Sequence, residues 1–321
     1  MIAAYQIALG LLGVIIVLII FQVTATMIDN YRYPPVGRLV NVGTHQLHIH
    51  TTGRGSPSVI LDAGLSGTSL GWSLVQPKIS EFTQVCSYDR AGYAWSDESP
   101  SKRTTDNIVE ELRALLKKAD VPGPYILVGH SFGGCNVLLF AHRYPEEVVG
   151  VVLVDSVHED MFKNMPELHQ NLFDKITSSS TVQWFLSVLG YKRLRGPSKE
   201  IQEMFKPLPA QVRHAYLAQM FKTSYTNTVS REMDGLEESL CQLDESKLML
   251  KDIPLVVISA GKFSDEGEGR VWDELQKKLL LKSNHSKRII AENSDHMINH
   301  HQPEVIVDAI REIFYSYQAL L

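Results

Sequence analysis

Short apolar runs alternate along most of the chain with longer stretches in which apolar residues recur at helical spacing. The short runs predict strands at 39–42, 46–51, 58–62, 84–88, 125–128, 148–154, 253–259 and 288–291. The helical spacing predicts helices at 105–119, 271–281 and 303–316. Continuous apolar strands separated by helices are typical of a parallel sheet that is covered on both faces. We therefore predict an α/β fold, with a mostly parallel sheet and helices on both sides.

The alternation of strands and helices is interrupted once. Residues 157–249 carry methionines, aromatic residues and prolines in helical patterns, without a clear strand, and the alternation resumes in residues 250–321. Because the sheet needs that C-terminal part, we predict a core made of residues 36–156 and 250–321. The interrupting segment is then a helical lid inserted into the core. Residues 1–30 stand apart from both.

The N-terminal segment is apolar and long. The run from Ala3 to Ile28 contains no charged side chain. An uncharged run of this length is long enough to cross a bilayer as a helix. We expect a retained, single-pass membrane anchor. A cleaved signal peptide, with Val23 and Ala25 as the small-residue pair and a secreted product, is the alternative. Arg32 and Arg38 follow the span and no basic residue precedes it, so the positive-inside rule favours a cytoplasmic domain. Two charges are too few to decide the side of the membrane, which stays open.

Composition narrows the functional classes. The 321 residues are 44% hydrophobic and 21% charged, with a formal net charge of −5, as in ordinary globular proteins. No basic run is present, so nucleic acid is not an expected partner. Three cysteines are too few, and odd in number, for a disulfide framework. These features leave the oligomeric state open.

One motif identifies a candidate nucleophile. Gly129-His130-Ser131-Phe132-Gly133 lies directly between the apolar run 125–128 and a helical run that begins at residue 134. A G-x-S-x-G sequence between a strand and a helix is the context of a nucleophile elbow, where a sharp turn raises the serine hydroxyl at the end of a strand. The competing interpretation is an ordinary strand-to-helix turn. We predict that Ser131 is catalytic and that its neighbour His130 points away from it and is structural.

A serine nucleophile needs a general base. His296 follows the last predicted strand, from which a loop can reach the elbow, so we predict that it is the base. His300 lies four residues later, a spacing that occurs in metal sites. However, Met297 stands where a zinc peptidase motif has glutamate, and we predict neither a metal nor a cofactor.

The base in turn needs a carboxylate that orients its ring. Asp155 ends the strand 148–154, and Asp265 follows the strand 253–259 and a glycine-containing turn. Both positions keep the chain order serine, acid, histidine. Asp295, directly beside the histidine, is expected to face elsewhere.

Residues 38–315 resemble the α/β-hydrolase superfamily. The segments that carry the resemblance are Ser87-Tyr88-Asp89-Arg90-Ala91-Gly92-Tyr93-Ala94-Trp95-Ser96, Val128-Gly129-His130-Ser131-Phe132-Gly133-Gly134, Leu153-Val154-Asp155, and His296 with Gln302-Pro303-Glu304. By position, the resemblance implies an oxyanion hole formed by the main-chain N–H groups of Leu65 and Phe132. Ala63-Gly64 stands where the family has His-Gly. Because the donors of the oxyanion hole are main-chain N–H groups, the missing histidine side chain need not disable it.

The acid departs from the family pattern. Many relatives have Gly-x-x-Asp after the penultimate strand, and here Gly261 to Asp265 is one residue longer. Certain haloalkane dehalogenases use an acid at the end of the preceding strand, and Asp155 is similar to that arrangement. We therefore favour Asp155 and keep Asp265 as the alternative.

The resemblance implies a serine hydrolase that cleaves a small-molecule carboxylic ester. The apolar lid and the anchor favour a lipid-like or other apolar acyl substrate. Epoxide hydrolases and haloalkane dehalogenases use an aspartate as nucleophile. The serine at position 131 therefore argues against both of these activities. A proline-type aminopeptidase, or a ligand-binding homologue without catalysis, are the alternatives.

Overall fold

The computed structural model describes residues 1–168, 170, 180–245, 247–262 and 267–321. Its centre is one twisted eight-stranded sheet. The described strands lie in the order β1-β2-β4-β3-β5-β6-β7-β8. β2 is antiparallel to β1 and to β4, and the other neighbours are parallel. The strands are β1 (Arg38–Asn41), β2 (Gln46–Thr52), β3 (Ser58–Asp62), β4 (Val85–Tyr88), β5 (Tyr125–His130), β6 (Val148–Val154), β7 (Leu255–Ala260) and β8 (Ser286–Ala291).

Helices cover both faces of the sheet and also make up much of the described part of the segment between β6 and β7. The described helices are α1 (Ile2–Arg32), α2 (Gln76–Ile79), α3 (Thr105–Lys118), α4 (Phe132–Arg143), α5 (Met161–Asn164), α6 (Ser180–Val188), α7 (Tyr191–Arg195), α8 (Lys199–Phe205), α9 (Ala210–Met220), α10 (Thr223–Asp234), α11 (Leu236–Glu245), α12 (Gly267–Leu279), α13 (Ile298–His301) and α14 (Pro303–Gln318). The predicted α/β class is confirmed.

Alternate residues of the central strands enter two separate cores, because successive side chains of a strand point to opposite faces. In β6, Val151 and Leu153 pack with α3 and α4 on one side of the sheet. Val152 and Val154 pack with α14 on the other side. A strand that is buried on both faces must be apolar throughout, which is why the uninterrupted apolar run was a reliable signal for β6.

The segment between β6 and β7, residues 155–254, contains α5 to α11 and no strand among its described residues. We call it the inserted block. Two of its tyrosines contact the loop after β3: the Tyr225 hydroxyl donates to the Ser66 carbonyl at 2.9 Å, and the Thr68 N–H donates to the Tyr216 hydroxyl at 3.2 Å. The block is therefore fastened over the carboxyl end of the sheet.

Helix α1 is the one helix of the described chain that is long and apolar enough to cross a membrane by length and composition. Most of its side chains are exposed, whereas Gln22 is only 3% exposed. The Gln22 side chain donates to the Phe221 carbonyl at 2.8 Å and accepts from Arg193 Nε at 2.9 Å. Arg193 also forms an ion pair with Asp29, which lies nearly two helical turns after Gln22 on α1. The C-terminal third of α1 is thus docked on the inserted block.

A buried ionic cluster joins the sheet to the inserted block. Arg90, which follows β4, donates to Asp62 Oδ1 at 2.8 Å and to Glu232 Oε1 of α10 at 2.7 Å. Tyr88 donates its hydroxyl to Asp62 at 2.8 Å, and Tyr93 donates its hydroxyl to Glu232 at 2.9 Å. Burial raises the pKa of Asp62, and the Arg90 charge opposes that shift. Both carboxylates of the cluster therefore depend on the same guanidinium as their cationic partner.

We predict that Arg90→Met is strongly destabilising, because it leaves Asp62 and Glu232 buried without a cationic partner. The expected loss in the free energy of unfolding is about 3–5 kcal/mol, measured by chemical denaturation of the detergent-solubilised chain. Lys102→Met is the control, since it removes the exposed pair with Glu238 and should cost about 1 kcal/mol or less. Equal losses in the two variants would contradict the role given to the buried cluster.

Candidate active site

Ser131 occupies a strained turn between β5 and α4. Its φ of 51° and ψ of −120° lie outside the regions that non-glycine residues ordinarily adopt. A Cβ on Gly129 would lie 2.5 Å from the carbonyl oxygen of Gly133, so the turn closes only with glycine there. The Ser131 N–H donates to the Val154 carbonyl at 3.0 Å, which ties the turn to the end of β6. The predicted strand, turn and helix are therefore present at this serine.

Asp155 and His296 are in direct contact. The His296 Nδ1–H donates to Asp155 Oδ2 at 2.6 Å, and the Asp155 side chain is fully buried. Asp155 Oδ1 accepts from the Ala260 N–H at 3.1 Å and from the Trp272 indole N–H at 3.2 Å. Three hydrogen bonds thus fix the orientation of the Asp155 carboxylate. With the proton held on Nδ1, Nε2 of the 37% exposed His296 side chain is the nitrogen that can accept another proton.

His130 links the serine turn to the loop that carries His296. Its Nε2–H donates to the His296 carbonyl at 2.8 Å, and the two rings lie 4.8 Å apart between centroids. Sequence reasoning gave His130 only a structural role, directed away from Ser131. Its contact fixes the main chain of His296, so the residue next to the serine helps to hold the imidazole at the elbow.

The loop after β3 approaches Ser131 closely. A Cβ on Gly64 would lie 3.0 Å from the Ser131 Cβ, so a side chain there would crowd the serine. Arg90 Nη2 donates to the Gly64 carbonyl at 2.8 Å. In the described part of the chain, the N–H groups of Leu65 and Phe132 have no hydrogen-bond acceptor. Two free main-chain donors beside a serine form an arrangement that can receive a developing oxyanion.

The other sequence candidates lie elsewhere. Asp295 accepts from the Met297 N–H and pairs with His301 at 2.9 Å, so it faces away from the His296 ring. Asp265, the alternative acid, lies outside the described residues. Among the residues that are described, no group of three or more His, Cys, Asp or Glu side chains is arranged to hold a metal ion.

Two contributors to the site were missed by sequence reasoning. Trp272 lies on α12, and nothing in its sequence neighbourhood indicates that its indole N–H reaches Asp155. Arg90 is part of the segment that carries the family resemblance, but its partner Glu232 is 142 residues away in the chain. Only a comparison of many related sequences could have linked such distant positions.

Two buried histidines near the site are held neutral. Burial, reinforced by the neighbouring His296, lowers the pKa of His130 to about 3. Burial also lowers the pKa of His300 to about 4, although its Nδ1–H donates to the Met204 carbonyl of the inserted block at 3.0 Å. In the unfolded chain both rings take up a proton near pH 6.5. The unfolded state therefore binds more protons than the folded state below that pH, and stability falls as the pH falls.

We predict that His300→Gln reduces this acid sensitivity. Glutamine can still donate to Met204 but takes up no proton on unfolding. Between pH 6.5 and pH 5 the wild-type chain should lose about 1–2 kcal/mol more unfolding free energy than the variant. His285→Gln, at a histidine whose side chain is 66% exposed, is the control and should follow the wild type. Parallel wild-type and His300→Gln curves would show that His300 is not held neutral.

Comparison with known proteins agrees with this architecture. A family model described as alpha/beta hydrolase fold matches residues 57–315. The uncharacterized protein YqjL of Bacillus subtilis is 29% identical over 272 residues, which cover 83% of this chain and 86% of that protein.

Two solved structures are also similar. The epoxide hydrolase CorEH has a TM-score of 0.68 at 16% identity, over 87% of this chain and 98% of that one. A thermophilic esterase from Thermogutta terrifontis has a TM-score of 0.63 at 20% identity, over 87% of this chain and 98% of that one. At such identities the likeness concerns the fold. The family match, which covers strands β3 to β8 and the strained serine turn together, shows that the chain belongs to the alpha/beta hydrolase fold family.

Proposed function

We propose that the chain is a serine hydrolase that cleaves carboxylic esters, with Ser131 as nucleophile, His296 as general base and Asp155 as the orienting acid. The observation that carries the proposal is the 2.6 Å contact between His296 Nδ1 and the buried Asp155 carboxylate, beside a strained serine turn. Such a carboxylate fixes the ring tautomer that can take a proton from the serine.

The proposed reaction has two halves. Ser131 Oγ attacks the ester carbonyl carbon while His296 Nε2 takes the hydroxyl proton. The tetrahedral intermediate collapses, the alcohol leaves with that proton, and an acyl-serine remains. A water molecule then attacks the acyl carbon and loses its proton to His296. The bond between the acyl carbon and Ser131 Oγ breaks, His296 returns the proton to that oxygen, and the carboxylic acid departs. Asp155 stabilises the imidazolium in both halves without itself taking the proton.

The proposed oxyanion donors are the N–H groups of Leu65 and Phe132. The Gly64 carbonyl and the Leu65 N–H belong to one trans peptide unit, in which the two groups point in opposite directions. Arg90 holds that carbonyl, so the N–H is directed away from Arg90. Phe132 begins α4, where main-chain N–H groups have no intrahelical acceptor and the helix dipole favours negative charge. Both donors are thus oriented before the substrate arrives.

An ester fits this site better than an epoxide, although an epoxide hydrolase shares the fold. The epoxide and dehalogenase chemistries of this superfamily need a carboxylate nucleophile, and position 131 carries a hydroxyl. A hydroxyl activated by an imidazole is suited to acyl transfer. We infer that the inserted block serves as the lid of this site, because it holds the loop after β3 through Tyr216 and Tyr225.

We also propose that α1 is a retained membrane anchor. Cleavage next to Ala25 would remove Gln22, together with its hydrogen bonds to Phe221 and Arg193. Both groups belong to the inserted block: in a processed chain the Phe221 carbonyl would lose this donor, and Arg193 would keep only its contacts with Thr26 and Asp29 on α1. A segment that supplies a buried hydrogen-bonding side chain to the folded domain is better explained as part of the mature protein.

We predict that Ser131→Ala, His296→Ala and Asp155→Asn each lower the turnover of a p-nitrophenyl ester by about 10⁴-fold or more, since the members of a triad act as a unit. The double variant of serine and histidine should be little worse than either single one. A fluorophosphonate probe should label the wild-type chain at Ser131 and fail to label the alanine variant.

The matched control is Asp295→Asn, which changes the carboxylate beside His296 that faces His301 and should keep most of the activity. If Asp265→Asn abolishes turnover and Asp155→Asn does not, the acid is the later aspartate. If peptide amides are cleaved and monoacylglycerols and other esters are not, the aminopeptidase alternative replaces the esterase. Absence of any probe labelling would favour a non-catalytic homologue.

We predict that the full chain stays with membranes through an alkaline carbonate wash, as a spanning helix does. A chain that lacks residues 2–21 should appear in the supernatant, because the part that remains is too short and too polar to span. Recovery of the full-length gene product as a soluble chain that starts near Thr26 would show signal cleavage instead. Protease protection of the large domain reports its side of the membrane.

A further inference from the structure

The inserted block exposes a group of large apolar side chains next to α1. We call it the lid surface. Its members, on α6 and α7, are between 45% and 61% exposed: Val182, Trp184, Phe185, Tyr191 and Leu194. Two of them are aromatic residues with a polar edge, the types that concentrate at membrane–water interfaces. An exposed group of large apolar side chains, unlike single ones, marks a site of contact with a partner or a membrane.

The position of the lid surface relative to α1 indicates what that partner is. Helix α6 lies against α1. Gly190, which joins α6 to α7, lies so close to Phe21 and Gln22 that an added Cβ would be 3.2 Å from each. A hydrocarbon core of about 30 Å takes about 20 helical residues, a length that residues 2–21 supply. Gln22 and Gly190 therefore come at the level of the membrane surface.

The positive charge of the segment that carries the lid surface is suited to the headgroup region of a membrane. Residues 182–199 contain the basic residues Lys192, Arg193, Arg195 and Lys199 and no acidic residue. Arg193 is engaged by Asp29 of α1, and Arg195 is exposed. Apolar and aromatic side chains followed by basic ones are the composition of segments that lie in the headgroup region of a bilayer.

We propose that the lid surface lies in the headgroup region of the bilayer that α1 spans, as a second membrane contact beside the anchor. This inference rests on the proposed retention of α1. It deepens the proposed function by naming the source of the substrate: esters of the same bilayer, with apolar acyl chains. The block that meets the lipid also holds the loop after β3, so the site and the membrane share one structural element.

The test uses the full chain reconstituted into phospholipid vesicles. Trp184 fluorescence, taken as the difference between the wild type and Trp184→Phe, should be quenched by lipids brominated close to the headgroup. Leu281→Trp in the Trp184→Phe background is the matched control: position 281 is exposed and precedes the edge strand β8, and its tryptophan should not be quenched. Unquenched Trp184 in a chain that remains in the vesicles overturns the proposal.

A second variant separates the membrane contact from the chemistry. Trp184→Asp combined with Phe185→Asp should lower hydrolysis of vesicle-embedded esters by about tenfold, because aspartate is disfavoured in the membrane. Hydrolysis of water-soluble p-nitrophenyl acetate should be unchanged. Equal activity of variant and wild type on both substrates overturns the proposal.

The remaining outcomes identify which premise fails. A dimer that cross-links through position 184 in vesicles, with no quenching, would assign the lid surface to a second copy of the chain and overturn the proposal. Release of the full chain by carbonate would overturn the anchor and the docking together. Quenching of Trp184 in a chain without ester hydrolysis would support the membrane contact and reject the proposed esterase.

Discussion

The guanidinium of Arg90 holds together three parts of the molecule that the chain order keeps apart. It binds Asp62 at the end of β3, Glu232 in the inserted block, and the carbonyls of Ala63 and Gly64 in the loop beside Ser131. Five N–H donors in a fixed plane make arginine suited to several acceptors at once, and a lysine in its place could not reach all of them. The geometry of the loop and the attachment of the block therefore have one common cause.

This arrangement has an energetic consequence for the site. Burying three charged groups is unfavourable unless nearly every donor and acceptor is paired, and here the hydroxyls of Tyr88 and Tyr93 and the amide of Asn136 complete the pairing. If a loop held by such a cluster shifted, it would leave a buried charge without a partner in apolar surroundings. The hydrogen bonds of Arg90 therefore constrain the loop that carries Leu65, as electrostatic preorganisation by the proposed oxyanion donor requires.

The sequence was most informative where burial on both faces imposed a simple pattern. β6 was predicted at 148–154 and is Val148–Val154. β7 was predicted to begin at residue 253 but begins at Leu255, because Pro254 has no N–H to contribute to the ladder. β8 begins two residues earlier than predicted, since an edge strand tolerates polar residues such as Ser286 and Lys287. Strand order was not predicted, because periodicity does not encode pairing.

At the candidate site, motif and chain order were enough to name Ser131 and His296, whereas they left two candidate acids, between which the family resemblance favoured Asp155. All three roles remain predictions. The supporting contacts could not be named in the same way. Trp272 meets Asp155 across 117 residues of chain, and the His130 side chain meets a main-chain carbonyl that has no sequence signature at all. Local patterns identify groups with reactive chemistry, whereas the groups that orient them are selected by three-dimensional proximity.

The single buried side-chain amide of α1 gives the proposed anchor a property that an apolar helix alone would lack. A uniformly apolar span can rotate about its own axis and tilt on a flexible linker. The attached domain then has no fixed orientation relative to the span. Gln22 is hydrogen-bonded on both sides of its amide, and Asp29 is paired nearly two turns later. Two such contacts along one helix fix its azimuth relative to the domain. In the anchored state the chain would behave as a rigid stalk, and the enzyme would search for substrate by lateral diffusion in two dimensions, always with the same side towards the lipid.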